Sequence, residues 1–143
     1  MAITRSEFLR YLAGLLISLL GWRFFRSGAR VHSLLLNRFH IAGFRYYLGQ
    51  QLVHRLRVGD ELTLIAEPDN PYDANAVEIY WGDAKLGYVP RDENATISRL
   101  LPQGAPLLCY VVSVDADAQP WEMVEAEVRM EVPEATQSTG SLL

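Results

Sequence analysis

Two segments concentrate the side chains that could do chemistry. Residues 42–49 read AGFRYYLG, where Arg45 stands beside two adjacent rings, Tyr46 and Tyr47, between glycines. Residues 67–77 read EPDNPYDANAV, a proline-stiffened loop that delivers Tyr72 and Asp73 just before an alternating strand. A cation beside aromatic rings suits stacking on nucleobases and neutralising phosphates. The same residues also have plainer uses. Asp73 and Asn75 can close the NPYD turn through side-chain-to-backbone hydrogen bonds, Tyr72 can plug a barrel, and Tyr46 and Tyr47 can split into one inward and one outward ring. Gly43, Gly49, Gly87 and Pro90 read as backbone-shaping residues.

Other chemistry finds little support. The chain has no GxxxxGK[ST], no GxGxxG after a strand, no HExxH and no GxSxG. Cys109 lies within LLCYVV and reads as a buried, inert thiol; being single, it forms no intrachain disulfide. His32, His40 and His54 are dispersed, so neither a metal site nor a cofactor is expected. Asp92-Glu93 and Glu125/Glu127 read as solvated charges. Without a base beside a nucleophile, or a metal, the chain reads as a binding module rather than an enzyme.

The elements that must position these residues are short. Residues 38–43 (RFHIAG) read as a strand ending at Gly43. Residues 61–67 alternate with Leu62, Leu64 and Ala66 on one face, and residues 76–81 with Val77, Ile79 and Trp81. Gly82-Asp83 predicts a hairpin turn into residues 85–89. Residues 92–101 carry Ala95, Ile97, Leu100 and Leu101 at helical spacing, stopped by Pro102 and Gly104. Residues 107–114 form a long, buried-looking strand, and residues 121–132 return as another after the turn at residues 116–120. With 143 residues and half of them hydrophobic, the chain can bury a core without staples. These elements predict a mainly β protein with short helices, a small β-barrel over residues 31–132, and a disordered tail at 133–143.

Residues 1–30 differ in kind. The uncharged run at residues 11–22, YLAGLLISLLGW, lies between Arg10 and Arg23. A bilayer-spanning helix needs about 20 apolar residues, so three readings stay open for this apolar N-terminal helix. It is a cleaved signal, although no A-x-A site follows; a membrane contact through residues 9–25; or a helix packed on the domain or on another subunit. The anchor reading puts the protein in the cytoplasm, tethered to the inner face of the membrane.

The formal net charge of −4 hides a polarity. Residues 1–58 carry nine arginines and one acid, a balance of +8, and residues 59–143 carry four basic residues and sixteen acids, a balance of −12. Taken alone the net charge argues against a nucleic-acid partner; a chain that bound one would need a local patch, with Arg45, Arg55, Arg57 and Arg91 as its candidates.

From about Arg38 to Val132 the sequence resembles the HIRAN domain, found alone in bacteria and at the N-terminus of eukaryotic fork-remodelling helicases. The resemblance is carried by AGFRYYLG, by PDNPYDANAV followed ten residues later by GYVPR, and by the helical stretch before another strand. It implies a barrel of the SH3/OB kind that captures the 3′-OH end of single-stranded DNA. By position, Arg45 and Tyr46 would engage the terminal nucleotides with Tyr47 beside them, Tyr72 would flank a base, and Asp73 would accept a hydrogen bond from the 3′-OH. Tyr88 falls where well-studied members have a histidine, Arg91 where they have a phosphate-contacting lysine, and Trp121 near an aromatic position. The competing expectation is a membrane-associated protein-interaction module that keeps the barrel without binding DNA.

Overall fold

The sheet has six antiparallel strands, two of which, Glu61–Ala66 and Val77–Trp81, follow an alternation read from the sequence. The computed structural model describes residues 30–134: β1 (Val31–His40), β2 (Glu61–Ala66), β3 (Val77–Trp81), β4 (Ala84–Tyr88), β5 (Leu107–Val114) and β6 (Val124–Pro133), in the order β1-β6-β5-β2-β3-β4. Two short helices join them, α1 (Gly49–Leu52) and α2 (Asn94–Leu100), with 3-10 turns at Phe44–Tyr46 and Leu101–Gln103. The ends of the sheet meet where Ala42, just past β1, pairs with Tyr88 of β4 through two 2.9 Å backbone hydrogen bonds. This curls the sheet into a small barrel, the mainly β architecture expected.

Alternation sorts the faces. Leu62 and Leu64 of β2, Val77 and Ile79 of β3, and Val124, Ala126 and Val128 of β6 point into one core with Phe39, Ile41, Phe44, Leu86 and Ile97. Gly87 makes the closure feasible: its φ is +153°, and a Cβ there would sit 2.2 Å from the Ala42 carbonyl oxygen. No larger residue lets β4 come that close. Cys109 is buried, as expected, and burial pushes its thiol up to about 12.

Several boundaries differ from the sequence reading. β1 begins at Val31 and leaves the ladder at His40, where Gly43 (φ 68°) turns the chain. Its first five residues are exposed, so pairing with β6 rather than one-sided burial makes them a strand. Residues 121–123 belong to the turn before β6, and Pro133 pairs with Val31 instead of opening a tail. β5 is only half-buried, with Cys109 and Val111 inside. Helix α2 starts two residues later than expected, after a turn in which the Glu93 N–H donates to the Pro90 carbonyl, and ends one residue earlier, where the chain tightens into the 3-10 turn that contains Pro102. The apolar run at residues 11–22 and the tail beyond residue 134 lie outside the described residues. Among the described residues no helix is long and apolar enough to cross a membrane.

Candidate nucleic-acid interface

The register of β2, β3 and β4 builds the floor of the site on the outer face of the barrel. Ile65 pairs with Glu78 and Glu78 with Tyr88; Thr63 pairs with Tyr80 and Tyr80 with Lys85. A bulge at Leu86 lets both Lys85 and Tyr88 share that face although they are three residues apart. The Lys85 ammonium sits 4.5 Å from the centre of the Tyr47 ring and 4.2 Å from that of Tyr88, and the two rings meet edge-on at 5.9 Å. Lys85 Nζ donates to the Tyr88 hydroxyl at 2.8 Å, and that hydroxyl donates to Glu67 Oε2 at 2.8 Å. The buried Glu78 carboxylate lies 3.8 Å from Lys85 Nζ and accepts from the Tyr80 hydroxyl at 2.7 Å.

These contacts set the protonation states. Burial pushes the Tyr88 hydroxyl well above its ordinary value, reinforced by Glu67 and Tyr47. Burial would also raise the Glu67 carboxyl, but hydrogen bonds from Asn70 and Tyr88 and the charge of Lys85 outweigh it and hold the group below the ordinary carboxylate range.

The loop after β2 forms the rim. Asn70 Oδ1 accepts from the backbone N–H groups of Tyr72 (2.9 Å) and Asp73 (3.1 Å), an Asx-type turn stiffened by Pro68 and Pro71. Asp73 Oδ1 accepts from the Asn75 N–H at 2.9 Å, and Oδ2 accepts from the Nδ2 of buried Asn94 at 2.7 Å. These two bonds, with Arg91 nearby, hold the Asp73 carboxyl below its ordinary value. Asp73 thus makes a side-chain-to-backbone bond of the kind expected. Asn70, rather than Asp73 or Asn75, closes the NPYD turn, and the Asn75 amide oxygen accepts from Ser98 Oγ at 3.3 Å. Each Asp73 carboxylate oxygen has a second lone pair, so that side chain can still accept from a ligand.

Floor and rim enclose an open cleft of about 390 Å³, lined by Tyr47, Tyr72, Asp73, Tyr88 and Arg91, with Asn70, Pro71, Ala42, Ala76 and Val89 between them. That volume lies in the range of small-ligand sites. Five of the eight residues singled out from the sequence thus converge. Arg45 and Tyr46 stand on the adjoining 3-10 turn, exposed, with the guanidinium 5.0 Å from the ring centre. Trp121 is half-exposed on the β5–β6 connection and lines no part of the cleft. Arg55 and Arg57 do not join the patch. Arg55 lies over Trp81, which follows Ile79 on the opposite face of β3, and Arg57 lines a different hollow while bonding the carbonyls of His54 and Leu56. Among the described residues no group of His, Cys, Asp or Glu is placed to hold a metal ion.

The HIRAN domain model matches residues 36–133. The chain belongs to the HIRAN domain family. A protein from Lactobacillus plantarum superposes with a TM-score of 0.61 at 28% identity, covering 71% of this chain and 98% of its own. The HIRAN domain of human HLTF superposes at 0.57 with 20% identity, covering 76% and 84%, and its likeness is one of fold. No curated protein matches the chain. HIRAN is a family of binding domains, and membership supports a nucleic-acid partner in general terms.

Three residues of this HIRAN domain that sequence reasoning left without a role prove central: Glu67, Asn70 and Lys85. Lys85 carried a signal, being the only lysine among thirteen basic residues. Its compact ammonium contacts both rings and still donates to the Tyr88 hydroxyl. Asn70 could have been read from the NPYD turn; the part played by Glu67 depends on register.

Proposed function

We propose that this HIRAN domain is a non-catalytic module that binds single-stranded DNA and reads its 3′-OH end. The observation that carries the reading is an ionised Asp73 sharing one cleft with the rings of Tyr47, Tyr72 and Tyr88 and with Arg91. Tyr72 is 85% exposed and Tyr46 73%, so both present rings on which bases can stack. Such stacking contributes about 1–3 kcal/mol per base whatever the sequence. Arg91 and Arg45 meet phosphates. A carboxylate there repels an interior phosphate, yet it accepts a hydrogen bond from a terminal hydroxyl, which is how it selects ends.

Fluorescence anisotropy with oligonucleotides differing only in a 3′-OH or a 3′-phosphate tests this. The hydroxyl end should bind more tightly, and Asp73→Ala should abolish the preference while stacking affinity persists. Equal affinities in the unmodified protein would refute the end reading. The proposal also locates the domain at the inner face of the membrane, tethered through residues 9–25, on the composition of that segment alone. Deleting residues 1–29 should move the protein from the membrane fraction to the soluble one; an unchanged membrane yield refutes the tether.

A further inference from the structure

A single oxygen lies at the junction of floor and rim. Glu67 Oε2 accepts from the Tyr88 hydroxyl at 2.8 Å and from Asn70 Nδ2 at 3.1 Å. Tyr88 is a wall of the cleft, and Asn70 holds the backbone amides of Tyr72 and Asp73 on the rim. The direction of the chain is dictated by chemistry. An ammonium only donates, so the Tyr88 oxygen accepts from Lys85 and its one hydrogen goes to Glu67. Lys85 is itself fixed by the rings of Tyr47 and Tyr88 and by Glu78. The backbone of Glu67 is anchored as well: its N–H donates to the Ala76 carbonyl and its carbonyl accepts from Asn70. One side chain therefore has contacts to both sides of the cleft and rigid support of its own.

We propose that Glu67, backed by Lys85, is a positioning residue: it sets the spacing between the Tyr88 wall and the Tyr72–Asp73 rim and thereby sharpens discrimination between a 3′-hydroxyl and a 3′-phosphate. The inference rests on the end-reading function. Discriminating two termini that differ by one phosphate needs the accepting carboxylate held to within about 0.5 Å, and a polar surface loop does not hold itself so closely. Neither Glu67 nor Lys85 touches the DNA in this account.

Three variants of the full chain test it, with two readouts each. Tyr88→Phe keeps the ring and cuts the link, Glu67→Ala removes it, and Glu67→Gln retains one accepting oxygen that both donors can reach but loses the charge that strengthens their bonds. The first readout is amide hydrogen exchange at Tyr72 and Asp73, measured by NMR against the β2–β3 ladder. The second is the ratio of affinities for 3′-OH and 3′-phosphate oligonucleotides. Tyr88→Phe and Glu67→Ala should speed exchange at those two amides selectively and cut the ratio about fivefold, with Glu67→Gln in between. Should Glu67→Ala fail to fold, Tyr88→Phe, which loses only a hydroxyl, carries the test. Unchanged exchange, or affinity lost equally for both ends with the ratio intact, overturns the proposal. If the unmodified protein has no end preference, the function fails on that result, while the exchange data still decide whether Glu67 couples the wall to the rim.

Discussion

Replacing Arg91 by glutamine removes one of two guanidinium groups available to a strand in the cleft, and the structure sets the size of the effect. Of the four arginines that the sequence suggests as a patch, Arg91 lines the cleft and Arg45 adjoins it, and neither enters an ion pair with a described residue. Arg55 and Arg57 lie elsewhere. The Lys85 charge is matched by Glu78 and spent on Tyr88. Two phosphates neutralised on a single strand give log Kobs against log[salt] a slope of about −1.4. Between 50 and 200 mM salt, affinity should then fall only about sevenfold. Arg91→Gln should flatten the slope to about −0.7, roughly a 2.6-fold fall over the same range, and Arg57→Gln should leave it unchanged. Anisotropy titrations of a short 3′-OH oligonucleotide at four salt concentrations give all three slopes. Engagement of all four arginines would instead produce about −2.8 and a fall near fiftyfold. A slope that steep, or one that Arg57→Gln flattens, would refute the assignment of charge to this cleft.

Acid should destabilise the domain. Asp73, Glu67 and Glu127 are all held below their ordinary values in the fold, Glu127 by Arg129 and Arg38, so the unfolded chain takes up protons first. Urea-unfolding stability should be full above about pH 5 and fall through the carboxylate range near pH 4 and below; a rise on acidification contradicts the assignments. Gly87→Ala should destabilise by about 3 kcal/mol in the same assay, because its Cβ meets the Ala42 carbonyl at the barrel closure; a neutral effect would mean the closure is looser than described. Cys109, its thiol pushed up to about 12 by burial, should resist iodoacetamide at pH 8 until the protein is unfolded, and rapid native labelling would show the core open there.

What the sequence makes legible is whatever local pattern decides. Leu62 and Leu64 face inward because β2 is buried on one side, the Gly82-Asp83 pair turns the hairpin, and the NPYD loop closes through its own side chains. Three features depend on partners far along the chain. The first half of β1 alternates nothing and becomes a strand only through β6. Helix α1 is four residues held by a bond from the Leu48 N–H to the Lys85 carbonyl and by Phe44 packed where a Gly49 side chain would be. The meeting of Lys85, Tyr88 and Glu67 needs the bulge at Leu86, which no periodicity announces.

Charge shows the same division. The basic and acidic halves of the chain look like two surfaces, but antiparallel pairing interleaves them. Arg38 from the first half meets Glu127 from the second at 2.8 Å, with Arg129 on the other oxygen at 2.7 Å. Segment charge therefore does not become surface charge. The field over the cleft depends on which cations folding leaves outside ion pairs, and there it leaves Arg45 beside a ring and Arg91 near Asp73 but not bonded to it. So small a positive charge beside an ionised carboxylate is poorly suited to gripping the interior of a polyanion and better suited to its end, where a hydroxyl stands in for the next phosphate.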